Sequence, residues 1–124
     1  MDSVLTSIKK MLGITEEYTH FDLDIIMHIN SVFSTLTQLG VGPPEGYFIE
    51  DDWASWDEFL PENKNLLGFV KSYMLLKVRL LFDPPLSSAV IESMNRQISE
   101  LEWRITVAAE PEKLDSKVGE NIYE

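Results

Sequence analysis

The stretch 73-YMLLKVRLLFDPP-85 decides how this chain folds. Extended back to Leu66, its apolar residues fall on two sides of a helix: Leu66, Phe69, Val70, Tyr73, Leu76 and Leu80 on one, Leu67, Met74, Val78 and Leu81 on the other. A helix that is apolar on two faces has to be covered on two faces. Lys71, Ser72, Lys77 and Arg79 interrupt the run too often for a membrane span, so the cover is protein: the chain's other helices, with another subunit as a further candidate. Asp83-Pro84-Pro85 stops the helix, because proline lacks an N–H and drives the residue before it out of helical geometry.

The partners for those faces lie on either side in the sequence. Upstream, Ile25, Ile26, Ile29, Val32, Phe33, Leu36 and Leu39 recur at three- and four-residue steps and predict a helix from Asp22 to Leu39, closed by Gly40. Downstream, Ser87 or Ser88 caps SSAVIESMNRQISELEWRITVAAE, whose seam of Ile91, Met94, Ile98, Leu101, Ile105 and Ala108 is that of a helix packed lengthwise on another. Glu92 with Arg96 and Glu100 with Arg104 are oriented as i,i+4 ion pairs, while Trp103 and Val107 project from another side than the seam. A short N-terminal helix, capped by Ser3 and ended by Gly13, carries Val4, Leu5, Ile8, Met11 and Leu12, with Lys9 and Lys10 in the last turn where the helix dipole favours cations. Residues 14–22, ITEEYTHFD, read as a turn-like connector. Gly68, inside the central helix, predicts that another backbone approaches closely there. After Ala109 the polar run EPEKLDSKVGENIYE reads as an extended or flexible tail, so the domain is placed at 1–109 and the tail at 110–124.

Between Gly40 and Asn63 the helical pattern breaks into GVGPPEGYFIEDDWASWDEFLPEN. Glycines, adjacent prolines and the alternation at Tyr47-Phe48-Ile49 predict a long loop that admits a small β-hairpin, followed by a helical turn at SWDEFL. Tyr47, Phe48, Ile49, Trp53, Trp56 and Phe59 make the segment too apolar to be purely solvated. Trp56 and Phe59 are assigned to the core; for Trp53, packing onto the bundle and docking onto a neighbouring protein both stay open.

The chain has 124 residues, enough for one domain with a core of its own, and no cysteine, which excludes disulfides and thiol chemistry. Its N-terminus lacks an uninterrupted apolar run of signal-peptide length and reads as part of a cytoplasmically made protein. The formal net charge of −11 argues against a surface built to grip nucleic acid or anionic lipid. All of it belongs to one segment: between Met11 and Asn63 there are 11 acids and no Lys or Arg, and elsewhere 10 acids face 10 basic residues. That segment is either a solvated face or a surface that must avoid DNA or meet a basic partner. No phosphate-binding glycine loop, zinc-protease motif, nucleophile elbow or EF-hand is present, and His20 and His28 come with neither a third ligand nor a nucleophile. An enzyme, a cofactor and a metal site are therefore not expected. The residues alone describe a small acidic helical interaction protein; an acidic DNA mimic or other small helical inhibitor is the alternative.

Taken in order, SVLTSIKKMLGI, FDLDIIMHINSVFSTLTQLGVG, WASWDEFLP, LKVRLLFDPP and SSAVIESMNRQISELEWRI closely resemble the tailed-phage and prophage head–tail connector, or adaptor, family, over about Met1 to Ala109. The resemblance implies an all-α fold: a small bundle of three long helices plus a short N-terminal helix, with a long loop between the second and third helices. It implies a structural virion protein at the head–tail junction, assembled in the host cytoplasm as a ring of about a dozen copies in head-to-tail contact. Its implied partners are itself, the portal protein and the tail-completion or stopper protein, with genomic DNA passing through unbound and no membrane involved. On that reading Glu50, Asp51 and Asp52 are expected to face the channel, and Phe48, Trp53, Lys77, Arg79 and Trp103 to touch another subunit or partner.

Overall fold

The computed structural model describes the backbone of residues 3–61 and 63–122, with side chains described in that range as far as residue 109. Among the described residues there are five helices and no strand: α1 (Val4–Met11), α2 (Asp22–Gln38), α3 (Trp56–Phe59), α4 (Lys64–Phe82) and α5 (Ser88–Ile122). No helix there is long and apolar enough to cross a membrane.

Helix ends follow local chemistry. Ser3 Oγ accepts from Thr6 N at 3.2 Å, Asn63 Oδ1 from Leu66 N at 3.0 Å, and Ser87 Oγ from Val90 N at 3.4 Å, each satisfying a backbone donor that the first helical turn leaves unpaired. Gly13 and Gly40, at φ 83° and 85°, turn the chain out of α1 and α2 through a left-handed conformation. α4 ends at Phe82, with Asp83 out of helical geometry (φ −145°, ψ 70°) before the two prolines.

Packing runs α1 on α2, α2 on α4 and α4 on α5, so α4 is the shared layer. Leu66, Leu67, Val70, Tyr73, Met74 and Val78 of α4 are buried among Ile25, Ile29, Val32, Phe33 and Leu36 of α2 and Ile98 and Ile105 of α5. Both faces of the central helix thus find cover within the chain. The buried arc lies between the two faces read from sequence, which leaves Phe69, Leu76 and Leu80 partly buried and Leu81 exposed. At a few kcal/mol for each large apolar side chain removed from water, this layer dominates the fold's stability.

Four expectations need correction. The 40–55 segment contains no hairpin; its pairing is an isolated bridge between Ser3 and Ser55, because the segment is fastened by side chains and by α1. Gly68 is exposed and a Cβ there would meet nothing within 4 Å among the described residues, so no described backbone approaches it. Of the two i,i+4 ion pairs expected on α5, Arg104 Nη2 to Glu100 Oε1 forms at 2.9 Å, and no Glu92–Arg96 pair forms among the described residues. The backbone beyond Ala109 is helical to Ile122 rather than extended.

Candidate functional site

The acidic 40–55 segment is a loop with fixed footing. Asn30, on α2, presents both ends of its amide to one residue: Nδ2 donates to Ile49 O at 2.9 Å and Oδ1 accepts from Ile49 N at 2.8 Å. The side chain thereby acts as a strand neighbour, and alternation along the extended chain does the rest. Tyr47 and Ile49 point inward and Phe48 and Glu50 outward. Further on, Val4 N donates to Ala54 O at 2.9 Å, and the Trp56 indole N–H donates to Ser7 Oγ at 2.8 Å.

Beneath the loop sits an aromatic cluster. Phe33 meets Tyr47 edge-on at 5.0 Å between ring centroids and Phe59 at 4.7 Å, and Trp56 closes the group at 6.2 Å from Phe33. Gly42, at φ 84°, lets the chain pass over Phe59, since a Cβ there would stand 2.3 Å from Phe59 Cε1. Trp56 and Phe59 are core residues, as their sequence position implied. Burial and the neighbouring Glu58 carboxylate hold the Tyr47 phenol above its ordinary range.

What the loop offers to solvent is a mixture of acids and aromatics. Glu50, Asp51 and Asp52 are all exposed, and Asp51 Oδ1 accepts from Trp53 N at 2.9 Å in a tight side-chain turn. Phe48 is 65 % exposed and Trp53 85 %, with Leu23 and Met27 of α2 also uncovered. Trp103, on α5, is 66 % exposed. Of the two basic residues singled out on α4, Arg79 is exposed, whereas Lys77 is half-buried and folds back onto Tyr73, its Nζ 3.3 Å from the hydroxyl and 5.2 Å from the ring centroid.

That hydroxyl also donates to Glu102 Oε2 at 2.8 Å, so Lys77, Tyr73 and Glu102 form a polar chain between α4 and α5. Burial of the fully enclosed tyrosine, followed by the Glu102 contact, pushes its pKa well above the ordinary value of 10.0. A groove of about 420 Å³ opens between the two helices, lined by Phe69, Ser72, Leu75 and Leu76 on one wall and by Gln97, Glu100, Leu101 and Arg104 on the other.

Two parts of this arrangement escape a reading by periodicity. One is Asn30, a single amide inside an apolar stripe. The other is Lys9, only 2 % exposed, whose ammonium donates to Glu16 O at 3.0 Å and Tyr18 O at 2.8 Å and lies 2.8 Å from Asp22 Oδ1. The signal available for Lys9 was the unpaired backbone of the connector that follows it. His20 stacks edge-on with Phe21 at 4.8 Å, and His28 makes no hydrogen bond to Asp24 among the described residues. The site is an exposed, charged and aromatic set of surfaces on a rigid frame, suited to contact with other macromolecules.

A family profile described as phage connector protein matches residues 4–112. No curated protein matches the chain. No solved structure matches it either.

Proposed function

The chain belongs to the phage connector protein family, and from that membership we propose that it forms a ring between the portal and the tail-completion protein of a tailed phage. It is a structural component of the virion, placed at the head–tail junction, and it extends the DNA channel without catalysing a reaction. The observation that carries this reading is the family match across residues 4–112, nearly the whole helical body.

Charge supports the channel role. Glu50, Asp51 and Asp52 sit exposed on a loop held to α2 by Asn30 and to α1 by Ala54, in a segment without a basic residue. Acids lining a lumen repel DNA phosphates and keep the duplex moving, where a basic lining would hold it through counterion release. Phe48, Trp53 and Trp103 are exposed aromatics, the residue class that most often anchors an interface, and Arg79 is an exposed cation available to an acidic neighbour. Lys77 belongs with Arg79 on the same helix, and its contribution runs through Tyr73. The assembling unit is residues 1–109, with 110–124 as a polar tail outside it.

Electron-microscopy class averages of the chain, alone and mixed with its portal protein, test the reading. Discrete rings stacked on the portal are expected; a chain that neither forms rings nor binds the portal in the mixture overturns it.

A further inference from the structure

We propose that the groove between α4 and α5 is the socket in which one copy of the chain receives Trp53 of the next. The inference rests on the ring reading above and specifies the contact that would build it.

The groove has the chemistry of an unfilled socket. Phe69, Leu75, Leu76 and Leu101 are only partly buried in the isolated chain, and Ser72 and Arg104 stand at its margins. Gly68, Ser72, Leu75 and Arg79 follow one another at steps of four, three and four, so they form a single stripe along the outer side of α4. Gly68 is the informative member. A glycine within a helix costs about 1 kcal/mol against alanine, yet a Cβ there would touch nothing among the chain's described residues. Close approach of a neighbour gives the missing side chain a purpose.

Charge selects the occupant. Arg79 is exposed on the stripe of α4 that borders the groove, and α4 carries not one acid, in a chain whose net charge is −11. The segment that follows Trp53 carries the exposed Asp57 and no cation as far as Asn63, so it meets an exposed cation on the receiving helix without like-charge repulsion. Within one molecule the loop is fastened to α1 and α2, whereas the socket lies between α4 and α5, on the far layers of the order α1–α2–α4–α5. Knob and socket therefore occupy different surfaces, which makes the contact heterologous and allows a ring to close. Trp53 is also set in advance, by the turn that Asp51 makes with its backbone N–H and by the bond between Ala54 and Val4, so docking orders little new chain.

Because the chain has no native cysteine, Asp52→Cys and Ser72→Cys report on this contact without background. The two full-length variants, mixed in equal amounts with and without the portal protein and treated with a short bismaleimide, are expected to couple to each other and not to themselves. A chain bearing both substitutions should give a ladder of covalent oligomers. Trp53→Ala should weaken self-association by roughly tenfold or more, with the helical signal unchanged. Rings visible by electron microscopy but no coupling between the two positions would overturn the socket and leave the ring reading intact. A chain that is monomeric and uncoupled even with portal present would overturn both.

Discussion

Lys9 Nζ lies 2.8 Å from Asp22 Oδ1, with the lysine almost wholly enclosed and the aspartate side chain 23 % exposed. The same ammonium donates to the carbonyls of Glu16 and Tyr18, so one cation ties the end of α1 and the start of α2 to the connector between them. Asp22 Oδ1 is itself buried, and this ammonium, which lies outside the directional geometry of a hydrogen bond to it, is the compensating charge.

Removing one member of such a pair strands the other. Lys9→Met preserves the aliphatic stem but leaves a carboxylate and two carbonyls without their donor. A loss of about 3 kcal/mol is expected, the low end for a broken buried pair because Asp22 is partly solvated. Urea unfolding measures it as a lower midpoint at unchanged slope. Lys9→Met combined with Asp22→Asn should recover part of the loss, because the uncompensated charge has gone.

Asn30 holds the loop through two hydrogen bonds to a single residue. Asn30→Ala should cost about 1–3 kcal/mol, since it leaves the Ile49 N–H and C=O unpaired. The local readout is sharper than the global one. Amide hydrogen exchange at Ile49 should accelerate well beyond that of α4, and Asn30→Asp, which keeps the acceptor for Ile49 N but loses the donor to Ile49 O, should fall between the two.

These two residues mark where the sequence was and was not legible. The helices and the core assignments of Trp56 and Phe59 follow from apolar spacing, proline stops and glycine ends, which are local signals. The two-sided burial of α4 was legible in the same way, although its buried arc is turned from the faces read off the sequence, because the sides on which α2 and α5 pack are set by tertiary contacts that spacing does not encode. Lys9 and Asn30 act across 13 and 19 positions respectively; the connector's unpaired backbone is a signal for Lys9, but apolar spacing names neither Asp22 nor Ile49 as a partner. The α4–α5 groove depends on which apolar residues α5 fails to cover, a property of packing. Exposure of Phe48, Trp53 and Trp103 fits the roles read from sequence without testing them.

Two glycines predict opposite responses to alanine. At Gly42, φ 84° and the 2.3 Å approach of Phe59 Cε1 oppose any Cβ, and Gly42→Ala should destabilise by about 2 kcal/mol or more, backbone strain and displacement of Phe59 adding together. At Gly68, with nothing within 4 Å, Gly68→Ala should stabilise the isolated chain by up to about 1 kcal/mol. Thermal unfolding of the two variants under conditions that keep the chain monomeric distinguishes them by sign alone.

Tyr73 sets an alkaline limit. Burial and the Glu102 contact raise its folded-state pKa above the ordinary 10.0. The folded chain therefore keeps a proton that the unfolded chain releases above that pH. The stabilisation from the neutral phenol is complete below pH 10 and is lost progressively as pH climbs above it towards the folded pKa. Tyr73→Phe removes the titrating group together with its bonds to Glu102 and Lys77, so it should be less stable than the parent near neutrality. The difference between the two should shrink as pH rises past 10, and an unchanged difference across that range would count against the linkage.

The acidic loop makes the last prediction, and it bears on DNA. If Glu50, Asp51 and Asp52 face the channel, their neutralisation removes three negative charges per copy at the same radius of the ring, multiplied by the number of copies. Glu50→Gln, Asp51→Asn and Asp52→Asn together keep the side-chain sizes, and asparagine at position 51 retains an oxygen that can accept from Trp53 N, so the loop conformation is expected to persist. What changes is the repulsion of phosphates, which acts over about a Debye length, roughly 10 Å at 0.1 M salt. Rings carrying the triple substitution should retain duplex DNA more strongly at low ionic strength and converge on the parent as salt is raised. Particles built with them should eject their genome more slowly. Equal DNA retention by both rings at low salt would move these acids out of the channel and onto the outer surface.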